Sequence, residues 1–227
     1  MIAPRKKEAV KKSSWLAVGV ASGNYQQQVL AGNTDAGISR SSSFYYGRNI
    51  GRLALFSGLA LSEQQYNKSS NLAFGASTAK SAVSTDIINS GVAASSNLSA
   101  TSTYLVNTQK RYLSVPVQAG WYVVDRKIKG MFSAGLMSDY FLSSTLSDKS
   151  GLLQSATIRH SSGAAYAGWV FSGIVGSEWS MNFSNHYQIA FAPGVRYALT
   201  PVYRRDFLMN GKSYSFDVGL RFRYFFH

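Results

Sequence analysis

The chain ends in SYSFDVGLRFRYFFH, residues Ser213 to His227, and this stretch decides the fold. Every second residue from Tyr214 to Phe226 is apolar or aromatic, whereas the residues between them are mostly small, polar or charged. Successive side chains of a β-strand point to opposite faces of the sheet, so the alternation predicts a strand with one apolar face. That face meets either a protein core or lipid, and the rest of the sequence favours lipid.

The same alternation recurs along the whole chain. Polar or turn-forming residues separate the alternating stretches, which is the pattern of consecutive strands in an all-β protein. The sequence therefore predicts an eight-stranded antiparallel up-and-down transmembrane β-barrel. The predicted strands cover about residues 14–26, 41–48, 52–66, 111–124, 129–144, 164–182, 187–203 and 213–227.

The predicted connections alternate between short and long. Short turns at one end and long loops at the other are typical of an outer-membrane barrel, with the turns in the periplasm. An even strand count then places both termini on the periplasmic side. Parts of the longest loop are alternatively expected to extend the third and fourth strands above the membrane. The predicted turns are 49–51, 125–128 and 183–186, and the predicted loops are 27–40, 67–110, 145–163 and 204–212.

Composition sets further bounds. The chain has 227 residues, no cysteine and a formal net charge of +13, so neither disulfides nor thiolate metal sites are expected. No apolar run reaches the length of about 18 residues that a transmembrane helix needs. Residues 1–13 are predicted to be a basic periplasmic linker and 14–227 the barrel domain. The residues after Met1 lack the apolar core of a signal peptide, which leaves a cytosolic protein or a chain whose signal was removed.

The inner face of the predicted barrel is charged, whereas a water-soluble barrel keeps its apolar face inside. Eight strands leave a lumen that side chains fill, so we expect these charges to pair in a structural network. A proton- or ion-conducting path is the alternative. The predicted lumen ion network consists of Arg196, Arg221, Arg223, Glu178, Asp139 and Asp217.

Aromatic residues lie where the predicted strands cross the membrane surfaces. An amphipathic ring at headgroup depth has one apolar and one wet end, and such rings form girdles around membrane barrels. The predicted girdle consists of Trp15, Trp121, Trp179, Tyr140, Tyr187, Tyr203, Tyr214 and Tyr224.

The excess positive charge predicts partners of opposite charge. Nucleic acid is not expected, because the sequence shows neither a helix-turn-helix nor an aromatic platform for RNA. Outer-membrane lipids and lipopolysaccharide are the expected partners, since basic residues near a membrane surface meet headgroup phosphates. On the outer side these residues are predicted to be Lys110, Arg111, Arg159, Arg204 and Arg205.

The run KRYLSVPVQAGWYVVDRKIKGMFSAGLMSDYFL resembles the middle of the small outer-membrane barrel family of Bacteroidota, which includes PorT-like barrels. FAPGVRYALTPVY and YSFDVGLRFRYFF resemble its last two strands. The resemblance implies a Gram-negative outer-membrane protein, and an aromatic C-terminus that the assembly machinery reads, although here Phe226 is penultimate. The residues that carry the match in the first run are Tyr112, Leu113, Val115, Pro116, Ala134, Gly135 and Leu136.

The residues themselves predict a non-catalytic barrel that acts as an envelope anchor, sensor or binding module, with a protein partner at the extracellular loops or the N-terminal linker. The family resemblance also bears on function. Some family members are the C-terminal barrel of dual-membrane-spanning anti-sigma-type signalling proteins, and the basic linker fits such a chain.

One pair of residues suggests catalysis. His160 and Ser162 have the spacing of the His-x-Ser pair in a lipid A deacylase, but they lie in a serine-rich predicted loop, where such a pair arises by chance. We therefore predict no catalytic residue, no metal site and no cofactor. A lipid A-modifying enzyme and a small-solute pore remain the alternative functions.

Overall fold

A computed structural model describes residues 12–28, 34–73, 101–125, 127–148, 155–159, 167–202 and 213–226. These residues form nine strands, and no helix among them is long and apolar enough to cross a membrane. The strands are β1 (Lys12–Gln28), β2 (Thr34–Ile50), β3 (Leu53–Ala73), β4 (Thr101–Asp125), β5 (Ile128–Asp148), β6 (Ala156–Arg159), β7 (Trp169–Asn182), β8 (Tyr187–Ala198) and β9 (Ser213–Phe226).

Eight of these strands close into a barrel. All neighbours pair antiparallel in chain order, β5 pairs with β7, and β1 closes the barrel against β9 from Ser14↔Phe226 to Gln27↔Ser213. The short β6 lies outside the closed ring and pairs only with β5. The predicted eight-stranded up-and-down antiparallel barrel is therefore confirmed.

The tight turns lie at one end of the barrel, which we call the turn end; the opposite end is the loop end. β2 and β3 are joined by Gly51 and Arg52 alone. Gly51 has a φ of 63°, a left-handed conformation that favours glycine in a two-residue hairpin. The other predicted turns are also found, and both described chain ends, Lys12 and Phe226, lie at this end.

Several strands are longer than predicted. Of the predicted loop 67–110, the structure describes 67–73 and 101–110, and both are strand, paired as far as Ala73↔Thr101. The loop boundaries were wrong and the alternative of extended strands was right. Similarly, β2 begins at Thr34, β5 continues to Asp148, and β1 begins at Lys12 inside the predicted linker, whose residues 1–11 lie outside the described ranges.

The apolar face of the barrel points outward. On β9, Phe216 and Leu220 are 50% and 52% exposed, whereas Arg223 is fully buried in the lumen. The same division holds for the other long strands. A belt of exposed aliphatic and aromatic side chains is favourable only in apolar surroundings, and a closed barrel leaves no unpaired strand edge there. The molecule is a transmembrane β-barrel.

The exposed apolar belt leads to a prediction that tests whether it faces lipid or water. Leu136, midway along β5, and Ile128, at its turn end, are 60% and 54% exposed. In lipid we expect Leu136→Arg to destabilise the folded barrel by about 2–4 kcal/mol and Ile128→Arg by about 0–1 kcal/mol, because the cost depends on depth. Urea titration of the variants folded into phosphatidylcholine vesicles measures both. Two near-neutral substitutions would contradict a lipid-facing belt.

Candidate functional site

The candidate functional site is the polar lumen, whose charged side chains lie in separate clusters. At the turn end, Glu178 of β7 accepts a hydrogen bond from each of two arginines of β9. Its Oε2 lies 2.6 Å from Nη2 of Arg223 and 3.0 Å from Nη1 of Arg221. The Glu178 and Arg223 side chains are 2% and 0% exposed, so this is a buried charged cluster.

Because one carboxylate meets two guanidinium groups, this cluster has excess positive charge, and aromatic rings line it. The Arg221 guanidinium lies 4.6 Å from the Tyr45 ring centroid. Arg223 lies 4.2 Å from the Trp15 centroid and donates a hydrogen bond of 3.1 Å to Gln188. The negative faces of these rings stabilise a desolvated cation. The cluster therefore closes the turn end with both polar and aromatic side chains.

Trp15 was wrongly predicted to belong to the outer girdle. Its side chain is fully buried in the lumen, and its indole Nε1 donates to Asn49 Oδ1 at 3.1 Å. The alternation of β1 already contains the reason, because the outward residues are Leu16, Val18 and Val20, and Trp15 belongs to the other set. Trp15 lies near the end of β1, which suggested a girdle residue, but its side chain belongs to the cluster that closes the turn end of the lumen.

A second cluster lies in the middle of the barrel. Asp139 of β5 lies 3.7 Å from Arg196 of β8 and accepts a hydrogen bond of 2.5 Å from Ser114, which contacts Ser62 at 2.9 Å. Serine hydroxyls thus supply most of the short contacts of this carboxylate.

Asp217 of β9 completes the middle of the lumen. It accepts hydrogen bonds from Ser39 and Ser215 and has no ion pair among the described residues. Asp217, Arg196 and Arg221 also line a cavity of about 100 Å³ between the clusters. A polar cavity of this size accommodates a few water molecules. The predicted network of six residues therefore consists of two separate ion-paired groups and of Asp217, which is bonded to serines, rather than of one chain of ion pairs.

A further lumen cation, Lys110 of β4, was predicted on the outside. Its side chain is fully buried near the loop end, where Nζ donates to Gln27 Oε1 at 3.1 Å and lies 4.9 Å from the Tyr66 ring centroid. Lys110 lies two and four residues before the inward-facing Tyr112 and Ser114, so it has the same parity, that is, it belongs to the same alternating set. Strict alternation along β4 would therefore have placed its side chain in the lumen.

The remaining girdle residues divide into three groups. Tyr140 is half-buried, with its ring 4.9 Å from that of Trp169, a girdle residue that the sequence reasoning missed. Tyr203 lies outside the described residues. The exposed outward rings are Trp121, Trp179, Tyr187, Tyr214 and Tyr224.

The described residues give no support to a catalytic or metal centre. His160 and Ser162 lie outside the described ranges, so their geometry is untested. No group of three or more histidine, aspartate or glutamate side chains within those ranges is placed to hold a metal ion.

Comparisons with known proteins point to similar barrels. No protein-family model matches the chain, and no curated protein matches it. Among solved structures, Neisserial surface protein A has 12% identity, a TM-score of 0.43 and coverage of 91% of this chain and 95% of its own. The outer membrane protease OmpT of Escherichia coli has 8% identity, a TM-score of 0.42 and coverage of 95% and 96%. Ail, the attachment invasion locus protein of Yersinia pestis, has 13% identity, a TM-score of 0.36 and coverage of 93% and 97%.

At these identities and TM-scores the similarities carry no functional argument. The strand pairing establishes the barrel by itself. The resemblance to the Bacteroidota family stays a prediction.

The turn-end cluster predicts a large effect of one isosteric substitution. Glu178→Gln removes the charge that the buried Arg223 and the partly buried Arg221 share, and we expect it to destabilise the barrel by about 3–5 kcal/mol. Glu63→Gln is the matched control, because Glu63 pairs with Arg111 at side-chain exposures of 32% and 59% and should change stability by about 0–1 kcal/mol. Urea unfolding in vesicles measures both, and equal effects would contradict a special role for Glu178.

The corrected position of Trp15 is testable by fluorescence. The chain has four tryptophans, so variants that retain only Trp15 or only Trp179 report on one position each. In vesicles with brominated acyl chains, which quench tryptophan on contact, we expect the emission of Trp179 to fall and that of Trp15 to persist. Quenching of Trp15 equal to that of Trp179 would place Trp15 in the outer belt after all.

Proposed function

We propose that this protein is a non-catalytic barrel of the bacterial outer membrane, which anchors an envelope function and presents a binding surface at its loop end. The main observation in support is the division of side chains: the outside is apolar, and the lumen holds buried charged clusters. Each strand of the closed barrel is paired with a neighbour on both sides, as a sheet in hydrocarbon requires. These features support a barrel that is stable in a membrane and whose described lumen is filled at the turn end.

The lumen argues against a solute pore. Trp15, Glu178 and Arg223 close the turn end with side chains that are 2% exposed or less. The cavity above them measures about 100 Å³, which is room for a few waters but not for a column of them. Eight-stranded barrels are in general just wide enough for side chains to fill. Transport of small solutes is therefore not the function that this lumen favours.

The loop end is the better candidate for recognition. β3 and β4 continue together to Ala73↔Thr101, whereas the pairing of β3 with β2 ends at Tyr66↔Gly37. β3 and β4 thus extend as a pair beyond the point at which β2 separates from β3. Binding sites are common on the connections that a rigid scaffold carries, and β3 and β4 lead into the long connection between Ala73 and Thr101. We place the loop end outside the cell and the turn end, with both chain ends, in the periplasm.

A signalling role is a narrower form of the same proposal. The resemblance to Bacteroidota barrels supports it, because some of them are the C-terminal barrels of signalling chains that span both membranes. The observation in favour is that residues 5–12, which include five basic side chains, lead into β1 at the turn end. In the proposed orientation a basic segment there would lie in the periplasm and connect the barrel to any domain that precedes it.

Conductance tests the closed lumen. Purified wild-type protein in planar bilayers should show no ohmic conductance, because charged and aromatic side chains fill the turn end. The double variant Trp15→Ala, Arg223→Ala removes the two largest fully buried side chains and should show small, frequent openings. Steady conductance of the wild type would favour the pore.

Comparison of lipid A from cells that express wild-type protein or His160→Ala tests catalysis, and any difference would favour the enzyme.

A further inference from the structure

Three charged residues lie in a row on the outward face near the loop end. Arg40 of β2 is paired in register with Glu63 of β3, which is paired with Arg111 of β4. All three have the parity of the lipid-facing residues of their strands; on β2, Phe44 and Tyr46 are 48% and 54% exposed. This row, which we call the charged rim, forms the loop-end edge of the apolar belt on β2 to β4.

The charged rim has an excess of positive charge. Arg111 Nε lies 3.4 Å from Glu63 Oε2, so the single carboxylate is already engaged. Within the described ranges, the exposed Arg40 side chain has neither an ion pair nor a hydrogen bond. Oxygen ligands stabilise a guanidinium group at the edge of a lipid-facing belt, and at headgroup depth lipid phosphates supply them alongside water.

The surface around Arg40 is shaped for an amphipathic ligand. Two of its neighbours on the outward face are small: Ser22 of β1, its register partner on that side, and Ser42, two residues along β2. A recess passes beneath the rim, polar at the end near Arg40, Glu63 and Arg111 and apolar farther down. The apolar lining includes Val20, Leu61 and Leu220.

We propose that the charged rim binds one lipid through a phosphomonoester headgroup of the lipid A type, with an acyl chain in the recess. Arg40 is the main phosphate ligand and Arg111, oriented by Glu63, the second. A guanidinium group matches two phosphate oxygens at once, and a phosphomonoester has close to two negative charges for the two arginines. This inference rests on the proposed outer-membrane orientation, which puts the loop end in the leaflet that faces outward.

The test compares two arginines of the same strand. Arg48 is also exposed and outward-facing on β2 but lies near the turn end, so Arg48→Gln is the matched control for Arg40→Gln. Purified protein in a neutral detergent is titrated with lipid A, and native mass spectrometry measures the lipid-bound fraction. We expect Arg40→Gln to weaken retention about tenfold, as the loss of one charge-assisted contact predicts, and Arg48→Gln to leave it unchanged. Phosphatidylcholine should not be retained.

Several outcomes would overturn the inference. Equal retention by Arg40→Gln and the wild type would remove Arg40 as a ligand, and equal loss in both variants would indicate nonspecific attraction. Phosphatidylglycerol retained with the same dependence on Arg40 would exclude selectivity for a phosphomonoester. Displacement of lipid A by millimolar inorganic phosphate would identify a site for free phosphate.

A separate measurement distinguishes this inference from the proposed function. Wild-type protein and Arg40→Gln are folded into vesicles of phosphatidylcholine alone, and protection from protease reports insertion. Failure of both to insert would refute the membrane barrel itself. Insertion of both, with unchanged lipid A retention by Arg40→Gln, would refute only the lipid site.

Discussion

The pairing of β1 with β9 is the contact on which the rest of the structure depends. In hydrocarbon an unpaired amide or carbonyl costs several kcal/mol, so a sheet in a membrane is stable only when its first and last strands meet. Here they meet over the whole length of β9, from Ser213 to Phe226. Once the ring is closed, each strand must turn one face to lipid and one to the lumen. This requirement explains why apolar and polar residues alternate in the last strand of the sequence.

Closure creates a second problem, because the lumen is too narrow for bulk water yet contains charges. In the structure, one buried carboxylate pairs with more than one cation, and aromatic rings and serine hydroxyls stabilise the remaining charges. Glu178 serves two arginines, and the aromatic faces of Trp15 and Tyr45 take part of the remaining positive charge. Farther up, serine hydroxyls satisfy Asp139 and Asp217 where arginine alone does not. Buried ions cost desolvation energy, so such clusters give the barrel a specific internal packing rather than a large gain in stability.

The sequence predicts the fold well because its strongest signal, alternation, arises from the strongest constraint, the contrast between lipid and lumen. It predicts less where that contrast disappears. The residues near Ala73 and Thr101 show no alternation of apolar and polar residues and resemble a loop in sequence, although their backbones are paired. Trp15 and Lys110 were misplaced for a different reason: residue type was allowed to outweigh parity. The pairing within the lumen is not readable from sequence, since it depends on which strands face each other across the barrel.

The positions of the outward-facing charged residues also indicate which part of the barrel spans the membrane. On β2 the outward side chains between Arg40 and Arg48 are Ser42, Phe44 and Tyr46, and eight residues of strand span about 26 Å. A tilt of about 35–45° reduces this to about 20 Å along the membrane normal, slightly less than the apolar band of about 25 Å. Long arginine side chains extend the rest of the way to the headgroups. The belt on β2 therefore has an arginine near each end, whereas the outward face of β9 is apolar from Tyr214 to Phe226, and this asymmetry is the reason to propose a headgroup site on the β2 side.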